Sequence, residues 1–157
     1  MTPSMDTSIA IRTARRQRLA DLLHRSAERV PRKLALVYGP ARLSYAELND
    51  KVNRTANALR AQGVGRGDHI ALLSHNNLGF VVTRFALARL GAVMVPINFM
   101  LNASEIAYIL DNGEVCGVVA EDALVAVADA AIQEAGMAMK LRGAIREKQD
   151  TTPAGWE

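Results

Sequence analysis

The sequence predicts an α/β fold with a mainly parallel sheet, and three observations predict it. Ile70-Ala71-Leu72-Leu73, Ala92 to Pro96 and Val115 to Ala120 are short unbroken apolar runs, the pattern of strands buried on both faces. Stretches of helical spacing separate them, such as Leu78, Val81, Val82 and Phe85, closed by Gly91. Strand and helix alternating at this interval make βαβ units. In composition, half of the 157 residues are hydrophobic and only 4% aromatic, so the core is aliphatic.

Residues 1–10, with Pro3 and several Ser and Thr, read as a disordered start. Residues 11–149 read as a partial α/β domain, and residues 150–157, with Pro153 and Gly155, as a loop at a truncation point. A helix is expected from Ile11 to Val30, with Leu19, Leu22, Leu23, Ala27 and Val30 on one stripe and Pro31 ending it. Leu34 to Tyr38 reads as a strand, Gly39-Pro40 as its turn, and Arg42-Leu43-Ser44 as a brief return. Ser44 with Glu47 has the spacing of a capping box, ahead of a stripe of Tyr45, Leu48, Val52, Ala56 and Leu59. Glu47 with Lys51 and Asp50 with Arg54 are i,i+4 pairs on the wet side.

Gly63-Val64-Gly65-Arg66-Gly67 leaves a helix and opens a strand. A phosphate cradle leaves a strand and opens a helix, so a connecting turn is expected here. Asn102 and Glu105 form a second capping box, and Asp111-Asn112-Gly113 a turn. Glu121 to Ala135 reads as an alanine-rich helix stopping at Gly136, and Leu141 to Ile145 as one more strand.

Ligands of open parallel sheets bind outside the carboxyl ends of the strands. Ser74-His75-Asn76-Asn77 occupies such an end, ahead of a helix. Ser74, His75 and Asn76 are therefore the candidate substrate-edge residues, with capping by Asn76 or Asn77 as the alternative reading. Asn98 to Asn102 holds the equivalent place after the next strand. His24, His69 and His75 show no metal-ligand pairing, and neither HExxH nor CxxC occurs. The acidic residues are scattered over helix starts and wet faces, and no catalytic set emerges.

The lone Cys116 excludes an intrachain disulfide and reads as a buried, inert thiol in a reducing compartment; the cytoplasm is the expected location. No secretory signal and no membrane-spanning run is evident. Residues 1–33 carry eight Lys/Arg against three Asp/Glu, whereas the remainder carries eleven against thirteen. The positive excess is thus local to the first helix, which gives no support to a nucleic-acid partner. Arg18, Arg25 and Arg29 share one flank there, read as a solvated face in preference to a membrane-surface contact.

Leu43-Ser44-Tyr45-Ala46-Glu47-Leu48, then Gly67-Asp68, then Ala88-Arg89-Leu90-Gly91-Ala92-Val93-Met94-Val95-Pro96-Ile97-Asn98 occur in this order. As a set they resemble the opening of adenylate-forming (AMP-binding) enzymes, specifically fatty-acyl-CoA synthetases, over Leu19 to Ala120. The resemblance implies a large N-terminal α/β domain of which these are the first β/α layers. It also implies an activity: a carboxylate, ATP and Mg²⁺ give an acyl-adenylate, whose acyl group passes to CoA. The family's Ser/Thr/Gly-rich phosphate loop is not among these residues. No catalytic or cofactor-binding residue is carried over, and Gly91 and Pro96 match as backbone punctuation.

The expected function is that of an N-terminal fragment of an ATP-dependent acyl-CoA synthetase, inactive alone, whose parent takes a fatty acid or other carboxylate. Two alternatives stand beside it. One is a free-standing small-molecule-binding α/β module; the other is a structural remnant that forms a homodimer without catalysis.

Overall fold

The computed structural model describes residues 18–148, 152 and 154–157. Residues 1–10 and the first turns of the helix expected from Ile11 lie outside the described residues.

Four parallel strands form the main sheet. β3 (His69–Leu73), β4 (Val93–Ile97), β5 (Gly117–Glu121) and β6 (Leu141–Ile145) lie in the order β4-β3-β5-β6. A two-stranded antiparallel hairpin, β1 (Leu34–Tyr38) with β2 (Ala41–Ser44), precedes it, so the brief return at Arg42 is a strand in its own right. The helices are α1 (Leu19–Arg29), α2 (Tyr45–Ala61), α3 (Leu78–Leu90), α4 (Ala103–Asn112) and α5 (Val125–Ala135).

Strand parity splits the core in two. Ile70 and Leu72 of β3, with Val119, Leu141 and Ile145, pack under α1, α2 and α3. Ala71 and Leu73, with Val118 and Ala120, pack under α4 and α5. Successive side chains of a strand point to opposite faces, and both faces are covered, which is why β3 and β5 read as unbroken apolar runs. Pro96, the last residue of the apolar run Ala92 to Pro96, does not end β4, which continues to Ile97. It lies inside the strand, aligned with Leu72, and is tolerated because β4 is an edge strand whose outer side needs no donor.

Local signals hold at the helix ends. Ser44 Oγ accepts from Glu47 N, and the Glu47 carboxylate accepts from Ser44 N at 2.8 Å. That commits Glu47 to the cap, so the wet-side pair that forms is Asp50–Arg54 at 2.8 Å rather than Glu47–Lys51. Asn102 and Glu105 form the second box, and α4 continues through Asp111 and Asn112, the expected turn, to its cap at Gly113. Leu48, Val52, Ala56 and Leu59 are buried as the stripe requires.

Three expectations need correction. Leu22 is 54% exposed, because α1 buries a narrower stripe centred on Leu23. Cys116 is half-buried rather than buried; it precedes β5, with its thiol 3.4 Å from His69 O. Glu121 is the last residue of β5, not the start of a helix. A 3₁₀ turn over Asp122–Leu124 intervenes before α5. At the chain end Glu157 N donates to Arg142 O and Ala144 N to Glu157 O.

No helix among the described residues is long and apolar enough to cross a membrane.

Candidate functional site

The strand order creates one privileged place. From β3 the chain goes to β4 on one side, then crosses back over β3 to β5 on the other. The exits of β3 and β5 therefore diverge, and the space between their carboxyl ends is the topological switch point of the sheet, where open α/β folds bind ligands. Ser74, His75, Asn76 and Asn77 leave β3 at this point, and Glu121 closes β5 beside them.

The side chains there form one hydrogen-bonded cluster around a single oxygen. Glu121 Oε2 accepts from His75 N at 2.9 Å, His75 Nδ1 at 3.0 Å and Asn77 Nδ2 at 3.1 Å, and lies 3.2 Å from Ser74 Oγ. A carboxylate only accepts, so His75 Nδ1 carries the proton. Asn77 Nδ2 also donates to Ser74 Oγ at 2.9 Å, and Asn77 Oδ1 caps α3 by accepting from Phe80 N at 2.8 Å. Ser74, Asn77 and Glu121 are all buried, while the His75 side chain keeps 46% of its surface. Its ring rests on Phe99, with centroids 4.1 Å apart.

Burial pushes the Glu121 carboxyl up. The hydrogen bonds from the His75 amide and imidazole, with the His75 charge and the Ser74 hydroxyl, outweigh that and hold it below the usual carboxylate range. The α3 N-terminus adds its own preference for negative charge. The switch point thus carries an anion supplied by the protein itself.

Capping is therefore the role of Asn77, and Asn76 stands apart from it, exposed beside a small pocket shared with Leu36, Val37 and Tyr38. Of the three sequence-selected residues, the structure draws Ser74 and His75 into one cluster and leaves Asn76 outside. Sequence reading missed Glu121 and Phe99. The one available signal was a glutamate directly after an otherwise apolar strand run. The other histidines serve elsewhere: His69 Nδ1 lies 2.6 Å from Gly113 O, and His24 pairs with Glu28 at 3.4 Å. Among the described residues no three His, Cys, Asp or Glu side chains converge as a metal-ligand set.

The glycine-rich turn after α2 is a connector, as its context predicts. Gly65 N donates to Asp68 Oδ2 at 2.6 Å, and Gly67 takes φ +85° to turn into β3. Lys140 meets the same carboxylate at 2.6 Å and holds it below the usual range.

Comparison with known proteins places this architecture. The family model of AMP-binding enzymes matches residues 23–154. A medium/long-chain-fatty-acid–CoA/3-oxocholest-4-en-26-oate–CoA ligase of Mycobacterium marinum is 35% identical over 103 residues, 66% of this chain and 19% of that protein. A crotonobetaine/carnitine–CoA ligase of Proteus mirabilis is 39% identical over 112 residues, 68% of this chain and 22% of that protein. Among solved structures, a fatty acyl CoA synthetase of Mycobacterium tuberculosis superposes with TM-score 0.74 at 32% identity, over 83% of this chain and 26% of that one. A benzoate CoA ligase of Burkholderia xenovorans gives TM-score 0.73 at 26% identity, over 85% of this chain and 26% of that one. The chain spans about one fifth of the length of these curated relatives.

Proposed function

The chain belongs to the AMP-binding enzyme family, and from that premise we propose that it supplies the opening β/α layers of a carboxylate–CoA ligase acting on a fatty acid. The observation that carries the proposal is the family match over residues 23–154, which takes in every strand of the four-stranded sheet. The curated relatives reported above are CoA ligases, and the Mycobacterium marinum protein is one for medium- and long-chain fatty acids. The reaction proposed for the whole enzyme runs in two steps. The carboxylate attacks the α-phosphorus of ATP, giving acyl-adenylate and pyrophosphate; the CoA thiol then takes the acyl group and releases AMP. Mg²⁺ accompanies the ATP, and the cytoplasm is the proposed location.

The described residues do not fit the triphosphate. The switch point, where a phosphate would meet helix amides, is filled by the Glu121 carboxylate, and a second anion there is repelled. The glycine-rich turn spends its Gly65 amide on Asp68. The part assigned to this chain is scaffold, with His75 and Asn76 as its substrate-edge residues because they reach solvent at the carboxyl edge.

The test is fatty-acid-dependent exchange of pyrophosphate into ATP with Mg²⁺. It is run on the 157-residue chain and on a chimera in which this chain replaces the matched segment of the Mycobacterium marinum ligase. The chain alone gives blank-level exchange and the chimera gives exchange. Exchange by the bare chain, or none by a folded chimera, overturns the proposal.

A further inference from the structure

β5 runs out into two consecutive buried acids, and the two serve different neighbours. Glu121 and Asp122 are 3% and 4% exposed. β5 lies between β3 and β6, so the residues at its end can reach the exits of both. Glu121 takes the β3 exit, in the cluster described above. Asp122 opens the 3₁₀ turn and takes the β6 exit: its Oδ2 accepts from Glu147 N at 3.0 Å and from Lys148 N at 2.7 Å. A buried carboxylate is costly unless it is hydrogen-bonded, and these amides, 25 and 26 residues away in sequence, hold it.

The contact runs on to the hairpin. Tyr38 Oη donates at 3.3 Å to Oε2 of Glu147, whose backbone Asp122 has fixed. Tyr38 is the last residue of β1, in the separate two-stranded sheet. Packing does little to place this end of the hairpin, since Val37 is 49% exposed and Tyr38 40%. Yet Leu36, Val37 and Tyr38 line the pocket of about 180 Å³ beside Asn76, together with Leu78 and Phe80 of α3.

We propose that Asp122 is a positioning residue of the ligase: through the β6 exit and Glu147 it fixes the hairpin wall of the substrate edge beside Asn76. The inference rests on the family reading above. It assigns the hydrocarbon part of the fatty acid to this wall, because Leu36, Val37 and Phe80 offer apolar surface without charge. Asp122 itself touches no substrate. A mere anchor for the β6 exit would, when lost, lower stability and leave substrate binding alone. A positioning residue shows in KM.

The test uses the same chimera and reads kcat, KM and melting temperature separately. Asp122→Ala raises the KM for the fatty acid roughly fivefold or more and leaves kcat and the KM for ATP within about twofold. Asp122→Asn, whose carboxamide oxygen can accept from both amides, brings that KM back to within about twofold of the wild type. Tyr38→Phe cuts the last link at an exposed position. It raises the same KM to a similar extent while the melting temperature stays within about 2 °C, and it carries the test alone if Asp122→Ala does not fold. In the 157-residue chain, Asp122→Ala speeds hydrogen exchange at the Glu147 and Lys148 amides roughly tenfold or more. Unaltered exchange there, an unchanged fatty-acid KM in Tyr38→Phe, or an Asp122→Ala effect that Asp122→Asn does not recover overturns the assignment. A wild-type chimera without pyrophosphate exchange overturns the proposed activity and this role with it. An active chimera whose variants keep the wild-type KM overturns this role alone.

Discussion

The turns that leave β3 and β4 share one capping chemistry and meet opposite structural fates. Each carries two asparagines and opens a helix through an asparagine cap, Asn77 for α3 and Asn102 for α4, but the second also holds Phe99, Met100 and Leu101. The first lies at the centre of the sheet, where β5 delivers Glu121 from 44 residues away in sequence, and Ser74 and Asn77 become buried. The second lies at the sheet edge, with no strand beyond it among the described residues. Asn98 there folds back on its own turn, accepting from Met100 N at 3.0 Å, and Met100 is 79% exposed. Local chemistry made both caps; strand order put the first beside Glu121, where its serine and histidine join a buried polar cluster.

The largest expected effect removes the hub of that cluster. Glu121→Ala leaves the His75 amide and the Asn77 side-chain amide without their common acceptor, while the Ser74 hydroxyl keeps His75 O at 2.9 Å. Stranding buried donors of a charge-assisted network is expected to destabilise the chain by about 2–4 kcal/mol. Urea unfolding of the chain checks this. A loss no larger than that of an exposed-site control would mean that water replaces the carboxylate and that the centre of the sheet is not sealed.

The two caps, compared directly, should differ by less. Asn102→Ala loses one solvent-exposed cap, about 1 kcal/mol. Asn77→Ala loses a cap together with two buried hydrogen bonds, roughly 2 kcal/mol. The difference in urea midpoint at constant slope reads it. Equal losses would show that strand order adds nothing to the energetics of the cap.

The sequence disclosed what is decided within a few residues. The boxes Ser44/Glu47 and Asn102/Glu105 and the cap at Gly91 are set by groups three or four positions apart, and the structure shows them where the spacing put them. The parallel sheet was legible because strands covered on both faces must be apolar throughout. Glu121 was misread for a physical reason: glutamate favours the first turn of a helix, and only the neighbouring β3 reveals it as a strand end. Leu22 was placed in the core because periodicity gives the direction of a stripe and not its width. Of the candidate site, Ser74 and His75 were found because polar residues at a strand exit are visible in sequence. Their partner was not, because no local rule tells which strand lies next to β3.

A smaller effect separates the regions by pH. The Glu121 carboxyl is held below the ordinary range, so its charge stabilises the fold above the unfolded pKa of about 4.3, and this is lost as pH falls through the lower folded value. Asp68, held down by Lys140, adds a loss of the same sign at the other end of the sheet. Unfolding free energies from pH 6 down to pH 3 should therefore converge between the wild type and Glu121→Gln, because the wild type surrenders an advantage that the amide never had. Parallel curves would assign the acid loss to Asp68 and remove the central cluster from it.

The smallest effect on the fold is expected from His75→Ala, and it is the one that bears on function. Nearly half of the imidazole surface faces solvent, and its ring contact is to Phe99 of the exposed β4 turn. The substitution keeps the backbone amide, which supplies the shortest of the bonds to Glu121. Ser74 and Asn77 keep theirs as well. What is lost is one partly exposed, charge-assisted contact, so a destabilisation of about 1 kcal/mol or less is expected. A ring that matters so little to stability, fixed by a buried carboxylate with its other nitrogen left for another partner, is in the position of a substrate-edge group. In the ligase chimera, His75→Ala should then reduce kcat/KM for the fatty acid by roughly tenfold, equivalent to about 1.4 kcal/mol of lost transition-state binding, while the melting temperature stays within a few degrees. His75→Gln, able to donate from its side-chain amide to Glu121, should recover part of the loss. Unchanged kinetics in both variants would reduce the whole Ser74–Asn77 turn to a helix cap. The two asparagine-rich exits would then differ in burial alone.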